Sequence, residues 1–446
     1  RFTDPEDTRE FIKVTHESYL KVVGKDFGKS IPAIFTDEPH MTGKQTHRFA
    51  SSQRDITLSF TDDMNHTFKE EYGRDLLEIL PEILWELGED EVSVHRYHYH
   101  DHVTERFVTA YFDTIGKWCQ DHDIALTGHL LSERTLFSQT LAAGEAMRCY
   151  RSFQIPGVDI LCDQKEFSTL KQAVSVARQY NREGVISELY GVTHWDYDFK
   201  GHKLQGDWQA ALGVTIRCHH LAYMSMEGEA KRDWPASINY QSPWYEKYPY
   251  IEDHFARVNT ALTRGKACVK LGVIHPIESF WLSFGPNDQT QTIRDQMDEN
   301  YENLMQWLLY GMIDFDLISE SLLPELCNKA TAPLKVGEME YETILIPDCR
   351  TIRSSTLERL EQFVENGGKV IFAGRIPTLV DGIKSDRAKR LSKKSKVIEY
   401  TREEMLQALR DDRLIEIRQE NGKLSENLFY QLRQDNDCHW LFICHV

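Results

Sequence analysis

Ile31-Pro32-Ala33-Ile34-Phe35-Thr36-Asp37-Glu38-Pro39-His40 is a short apolar run that ends in two adjacent acids, a proline and a histidine. An apolar run of this length between prolines predicts a buried strand, and the second proline stops the ladder just after the acids. A β/α barrel presents its reactive carboxylates in this way, at the C-terminal mouth of its strands. Gly184-Val185-Ile186-Ser187-Glu188-Leu189-Tyr190-Gly191 repeats the pattern downstream and delivers a second acid to a glycine-bounded turn.

Working outward, strands recur every 30 to 35 residues or so with helical stretches between them, the rhythm of a (β/α)8 barrel. Ile124-Ala125-Leu126-Thr127-Gly128-His129 ends in a histidine with Glu133 just beyond. Pro156-Gly157-Val158-Asp159-Ile160-Leu161 brings Asp159 and Asp163 to its end, and Val214-Thr215-Ile216-Arg217-Cys218-His219-His220 follows the Glu188 strand. Val92 to His122 carries Tyr97, Val108, Tyr111, Ile115 and Trp118 at helical spacing and predicts one long barrel helix. Only five such strands are visible, so the expectation is that three more lie upstream of Arg1 and that the chain is a piece of something longer.

After about residue 266 the rhythm changes. Val269–Ile274, Glu342–Pro347 and Lys369–Gly374 alternate with helices, which predicts a flavodoxin-like or Rossmann-like parallel α/β domain over residues 267–395. No G-x-G-x-x-G occurs in it, so no nucleotide site is expected. Residues 396–446 are highly charged and close on Trp440-Leu441-Phe442-Ile443, read as the start of a further β domain. The expected division is thus a barrel over 1–266, the α/β domain over 267–395, and that β-rich start.

The chain has 446 residues, 41% hydrophobic, with a net charge of −18 spread along its length. That balance repels polyanions and makes nucleic acid and anionic membranes poor partners. No stretch approaches the ~18 apolar residues that span a bilayer. The nine cysteines stand singly without a C-x-x-C pair, reading as reduced thiols and a cytoplasmic protein. Trp, Tyr and His crowd between about residues 190 and 250, and aromatic faces beside polar groups suit sugar rings as well as cores. A homo-oligomer is left open.

Hydrolysis of a glycosidic bond needs one carboxylic acid to protonate the leaving oxygen and one carboxylate to attack carbon or to deprotonate water. Glu38 and Glu188 end strands three apart, which places them across a barrel mouth from each other. The bland reading of a lone acid at a strand end is a helix cap or an ion-pair partner, and it is the spacing of two that favours chemistry. His129, Tyr190, Trp195, Arg217 and His220 stand at or near strand ends and join Asp37 as candidate sugar contacts. Each could instead pack in the core or a loop. Trp234, Tyr240 and Trp244 sit in a Pro-rich loop that would serve as a sugar platform or simply fold over the rim.

Asp37-Glu38-Pro39, Leu126-Thr127-Gly128-His129, Ser187-Glu188-Leu189-Tyr190-Gly191 with Trp195, and Gly206-Asp207-Trp208-Gln209-Ala210 up to Gly213 together resemble the barrel of large bacterial glycoside hydrolases, close to family 106, the α-L-rhamnosidases. A barrel followed by a parallel α/β domain is also similar to family 42 β-galactosidases, whose two acids sit on strands four and seven. That family has Asn where this chain has Asp37, which favours the rhamnosidase-like branch. The resemblance implies removal of a terminal sugar, α-L-rhamnoside-like, from plant or microbial glycans, with Glu38 as general acid and Glu188 as partner carboxylate. It also implies a calcium ion touching the sugar hydroxyls, whose ligands the sequence leaves unassigned. The chemistry itself requires no cofactor.

Two rivals stand beside it. Arg96-Tyr97-His98-Tyr99-His100-Asp101-His102 contains an H-x-H of the sort found in amidohydrolase-type metallohydrolases, with His129, His219 and His220 as further ligands. On a helix, however, residues two apart diverge. A non-catalytic carbohydrate-binding barrel would keep the aromatic residues without needing both acids. Asp37 is expected to hold the proton on Glu38 by like-charge repulsion, with Arg217 or a histidine keeping Glu188 ionised. Glu133 and Asp159 are the reserve candidates for the acid.

Overall fold

A computed structural model describes residues 2–41, 43–88, 91–229 and 238–446. Five parallel strands form its first layer: β1 (Ala33–Thr36), β2 (Ala125–Gly128), β3 (Ile155–Asp159), β4 (Ile186–Leu189) and β5 (Ile216–His219). Each pairs with its successor in chain order, so the sheet is an arc of consecutive β/α units. The strands are those the apolar runs predicted. The long helix between β1 and β2 runs as Val94–Phe107, one wide turn at Val108–Asp113, and Thr114–Asp121.

Parallel strands need cover on both faces, because crossover helices are the only connection that returns the chain to the same edge. The helix Phe167–Gln179 shows how far this goes. All but one of its residues are buried, since it lies between β3 and the strand Phe315–Ile318 of a second sheet. Its buried Lys171 is matched by Asp314 at 2.9 Å, and Arg178 reaches Asp316 at 2.8 Å. The side-chain hydroxyl of Tyr341 donates to Asp316 as well.

That second sheet is wholly parallel, in the spatial order Lys396–Ile398, Lys369–Ala373, Thr343–Ile346, Leu271–Ile274, Phe315–Ile318. Numbered along the chain this is 5-4-3-1-2, the flavodoxin-like winding. The sheet therefore passes residue 395, where the sequence placed its end. Lys396 and Val397 of the edge strand are exposed, and the resulting polar composition disguised it. The β-rich start expected from 396 reduces to the hairpin Leu428–Gln434/His439–His445, joined by the two-residue strand Lys266–Ala267. The hairpin is part of the same body: Gln431 donates to the carbonyl of Ala210 in the helix Phe199–Leu212. No described helix is long and apolar enough to cross a membrane.

One hydrophobic core runs through both sheets, from Phe107 and Leu126 to Leu304, Phe315 and Leu345. Burying each such side chain contributes roughly 1.5–3 kcal/mol. Between the layers lies a buried ionic network. Arg148 donates to Asp101 at 2.7 Å and to Glu145 at 2.9 Å, while Arg353, from the second domain, donates to the same Asp101 at 2.7 Å and pairs with Glu278. Tyr97 completes Glu278 at 2.6 Å, and Ser319 donates to Glu145. The two guanidinium groups hold Asp101 far below the ordinary carboxylate range, against the opposing effect of burial. Arg148→Met should destabilise the chain by about 3–5 kcal/mol, because it strands Asp101 and Glu145 as buried charges. Urea denaturation would read the loss, and Lys117→Met, at an exposed pair with Asp121, should hardly move the midpoint.

Candidate functional site

The C-terminal ends of the five strands converge at one mouth. β1 runs directly into Asp37 and Glu38, β2 into His129, β3 ends on Asp159, β4 carries Glu188, and His220 follows β5. The parallel register decides which side chains meet. Asp159 pairs with Glu188 and Glu188 with Cys218, so the three form one row on one face of the sheet.

His129 is the hub. Its side chain is 1% exposed, and Nε2 lies 3.0 Å from Oε2 of Glu188 and 3.4 Å from Oδ1 of Asp37. The ring is set by Gly128, whose φ of +123° only glycine adopts readily. A Cβ there would also stand 1.9 Å from the carbonyl oxygen of Thr36, so no other residue fits between β1 and β2 at this level. That carbonyl instead accepts the His129 backbone N–H at 3.2 Å, and Phe35 packs against the imidazole edge-on.

Burial works against an imidazolium here. The hydrogen bond to Glu188 and the charges of Asp159, Glu133 and Glu188 overcome it, and the pKa of His129 rises to about 9. Glu188 moves the other way: the His129 hydrogen bond lowers its pKa, burial opposes this, and the charges of His129 and His220 assist. Asp159 is pushed up to about 7 by burial, resisted by His129 and reinforced by Glu188, Glu38 and Asp37. Glu133 also rises to about 7 by burial, although Tyr150 donates to it at 3.0 Å and the Leu130 N–H at 3.1 Å. The mouth thus holds one carboxylate kept ionised, two carboxyls that carry a proton near neutrality, and a cation between them. Asp37 and Glu38 are exposed at its edge.

The other predicted contacts divide by strand parity. Arg217 pairs in register with Ser187, one residue from Glu188, and so faces away from the row. It binds Glu252 and the hydroxyl of Tyr190 at 3.1 Å and lies 4.0 Å over the Phe255 ring, behind the sheet. The cation expected from Arg217 is therefore spent on Glu252, and His129 supplies it instead. Tyr190 is fully buried in the same layer, where its hydroxyl approaches the His202 carbonyl. Trp244 packs on Phe199, His202 and Tyr248, and Trp195 stands 37% exposed in the loop after β4. Trp234 lies outside the described residues. Glu252, which also holds His219 at 2.9 Å, was missed in the sequence because it lies inside a helix, Pro249–Leu262, with no local signal.

His98, His100 and His102 all lie in the helix Val94–Phe107. His98 stacks on Tyr72, His100 contacts Lys44, and His102 meets Glu71 at 3.0 Å. Among the described residues, Asp37, His129 and Glu188 form the group whose donor atoms converge at metal-like spacing, within 4.8 Å of one another. They do not fit calcium, which takes six to eight oxygens. One of the three donors is an imidazole nitrogen, hydrogen-bonded to Glu188 at 3.0 Å, where calcium takes oxygen.

The sign of the coupling is clear. His129, raised above its ordinary value, contributes stability that is full below about pH 6.5 and is lost as pH climbs through about 9. Glu188, lowered, contributes stability present above the ordinary carboxylate value and lost as pH falls through its own. In a histidine NMR titration the His129 ring should remain protonated at pH 8, and His129→Gln should raise the pKa of Glu188. An imidazole that titrated at its ordinary value would refute the pairing.

No protein-family model matches the chain, and no curated protein matches it. Solved structures share its fold. A rhamnosidase from Novosphingobium sp. PP1Y aligns with a TM-score of 0.68 at 16% identity, over 98% of this chain and 42% of that one. A cold-adapted β-galactosidase from Rahnella sp. R3 aligns at 0.54 and 12% identity, over 86% and 56%. An exo-carrageenase of family 42 from Bacteroides ovatus aligns at 0.52 and 13% identity, over 90% and 56%. The chain thus spans about half or less of the length of these proteins.

Proposed function

We propose that this chain carries the catalytic mouth of a glycoside hydrolase that releases a terminal, α-L-rhamnoside-like sugar. The observation that supports it most is Glu188, held ionised by buried His129 at the end of β4, with Glu38 presented from the end of β1. Likeness in fold to a rhamnosidase over nearly the whole chain agrees with the reading.

In this mechanism Glu38 gives its proton to the glycosidic oxygen as the bond to the anomeric carbon breaks. Glu188 takes a proton from the water that attacks the opposite face of the sugar. His129 orients Glu188 and keeps it ionised. Positive charge that builds on the ring at the transition state meets Glu188, held ionised on β4, with Asp37 just beyond the end of β1. Asp37 and His220 line the approach, and Trp195 offers a half-exposed face to the sugar. No step is routed through calcium, whose oxygen-rich coordination Asp37, His129 and Glu188 do not supply.

A retaining, β-galactosidase-like reading would use the same two acids, with Glu188 attacking carbon directly. The likeness to the Rahnella enzyme favours keeping it as the second reading. The carboxyl separation distinguishes them: ~6.5–9.5 Å for inversion and ~5–5.5 Å for retention.

A panel of nitrophenyl glycosides, with α-L-rhamnoside and β-D-galactoside first, tests substrate class. Glu188→Gln should cost roughly 10²–10⁴-fold in kcat/KM on every active substrate. Glu38→Gln should lose as much on unactivated glycosides while largely sparing nitrophenyl ones, because only poor leaving groups need the proton. Full activity of Glu38→Gln on an unactivated glycoside would transfer the acid role to Asp159 or Glu133. NMR of the first-formed anomer then separates inversion from retention.

A further inference from the structure

At the opposite, N-terminal ends of β4 and β5 lies a cleft of about 280 Å³ between the helix Phe167–Gln179, the strand Lys266–Ala267 and the C-terminal hairpin. Its charged lining is Arg178, Arg182, Glu183, Lys266, Glu338 and Arg433, with Thr215 beside them. The charges are unequally matched. Lys266 neutralises Glu338 at 2.7 Å, and Arg178 is engaged by Asp314 and Asp316. Among the described residues, neither Arg182 nor Arg433 has a carboxylate within ion-pair reach. Arg433 spends its Nε and Nη2 on the carbonyls of Arg264 and Gly265, both at 2.7 Å, and Arg182 gives Nη2 to the carbonyl of Arg151.

Three buried polar atoms of residues that line the cleft have no protein partner: Nη2 of Arg178, whose side chain is 9% exposed, Nε of Arg182, and Oγ1 of Thr215. Buried donors are normally satisfied, and guanidinium groups most of all, since their planar forks match tetrahedral and carboxylate oxyanions. Burial together with Arg178 pushes Arg433 down to about 10, the direction expected of a cation lacking its counter-charge.

We propose that this cleft binds a compact oxyanion, a phosphate or sulfate group, through Arg178, Arg182 and Arg433 with Thr215 as a further hydrogen-bond partner. Its volume lies near the lower end of small-molecule sites, ~300 Å³, which leaves room for a carrier of about monosaccharide size. The site stands at the far end of β4 from Glu188, and it is independent of the glycosidase reading.

Isothermal titration of the whole chain with inorganic phosphate, with sulfate and with glucose 6-phosphate tests this, against glucose and against sodium chloride at matched ionic strength. Saturable binding of an oxyanion that neither control reproduces is expected, and the phosphate and sugar-phosphate arms tell a free anion from a carried one. Arg433→Gln or Arg182→Gln should weaken binding at least tenfold, a loss in either folded variant being sufficient, while Glu188→Gln should bind as the unaltered chain does. Absence of saturable binding at millimolar concentrations, unchanged affinity in both arginine variants, or loss of binding in Glu188→Gln would each overturn the proposal.

Discussion

A parallel sheet has two faces to cover, and something must hold the layers that cover them in place. The second domain does so through charge. Arg353 reaches across to Asp101, which Arg148 already holds, and Glu145 and Glu278 close the network from either side. Such a cluster is seldom a net source of stability compared with apolar packing of the same volume. Its effect is geometric: Asp101 is shared by Arg148 and Arg353, and each arginine also holds an acid of its own, so the two layers have one relative position.

That position matters to the mouth because the strands present their side chains in fixed rows. Asp159, Glu188 and Cys218 share a level by register, and His129 is brought to Glu188 by a glycine that fits between two backbones. A shift of one residue in β4 would turn Glu188 into the layer now filled by Ser187 and Leu189. The chemistry is therefore carried by register, which the helix Phe167–Gln179 and the second sheet secure by burying the arc's outer face.

Much of this was legible in the chain itself. Short apolar runs ending in acid or histidine located all five strands, because parallel strands buried on both faces read as continuous hydrophobic sequence. The convergence of Asp37, His129, Asp159 and Glu188 followed from their places at strand ends. Four things were hidden. Parity sent Arg217 behind the sheet, although it is only one residue removed in register from the row of Asp159, Glu188 and Cys218. Glu252, its partner, arrives from a distant helix. The edge strand Lys396–Ile398 wears a charged exterior and reads as surface. The network around Arg148 was likewise invisible, because its members are spread from Tyr97 to Arg353 and no spacing rule links them.

The row at the mouth has one more member. Cys218 sits beside Glu188 with its side chain partly open, yet burial raises its pKa and the charges of Glu188 and Asp159 raise it further. The thiolate is the form that peroxides and alkylating agents attack. The charges that surround Glu188 thus also act as a chemical shield, holding the neighbouring sulfur in its protonated, less reactive form.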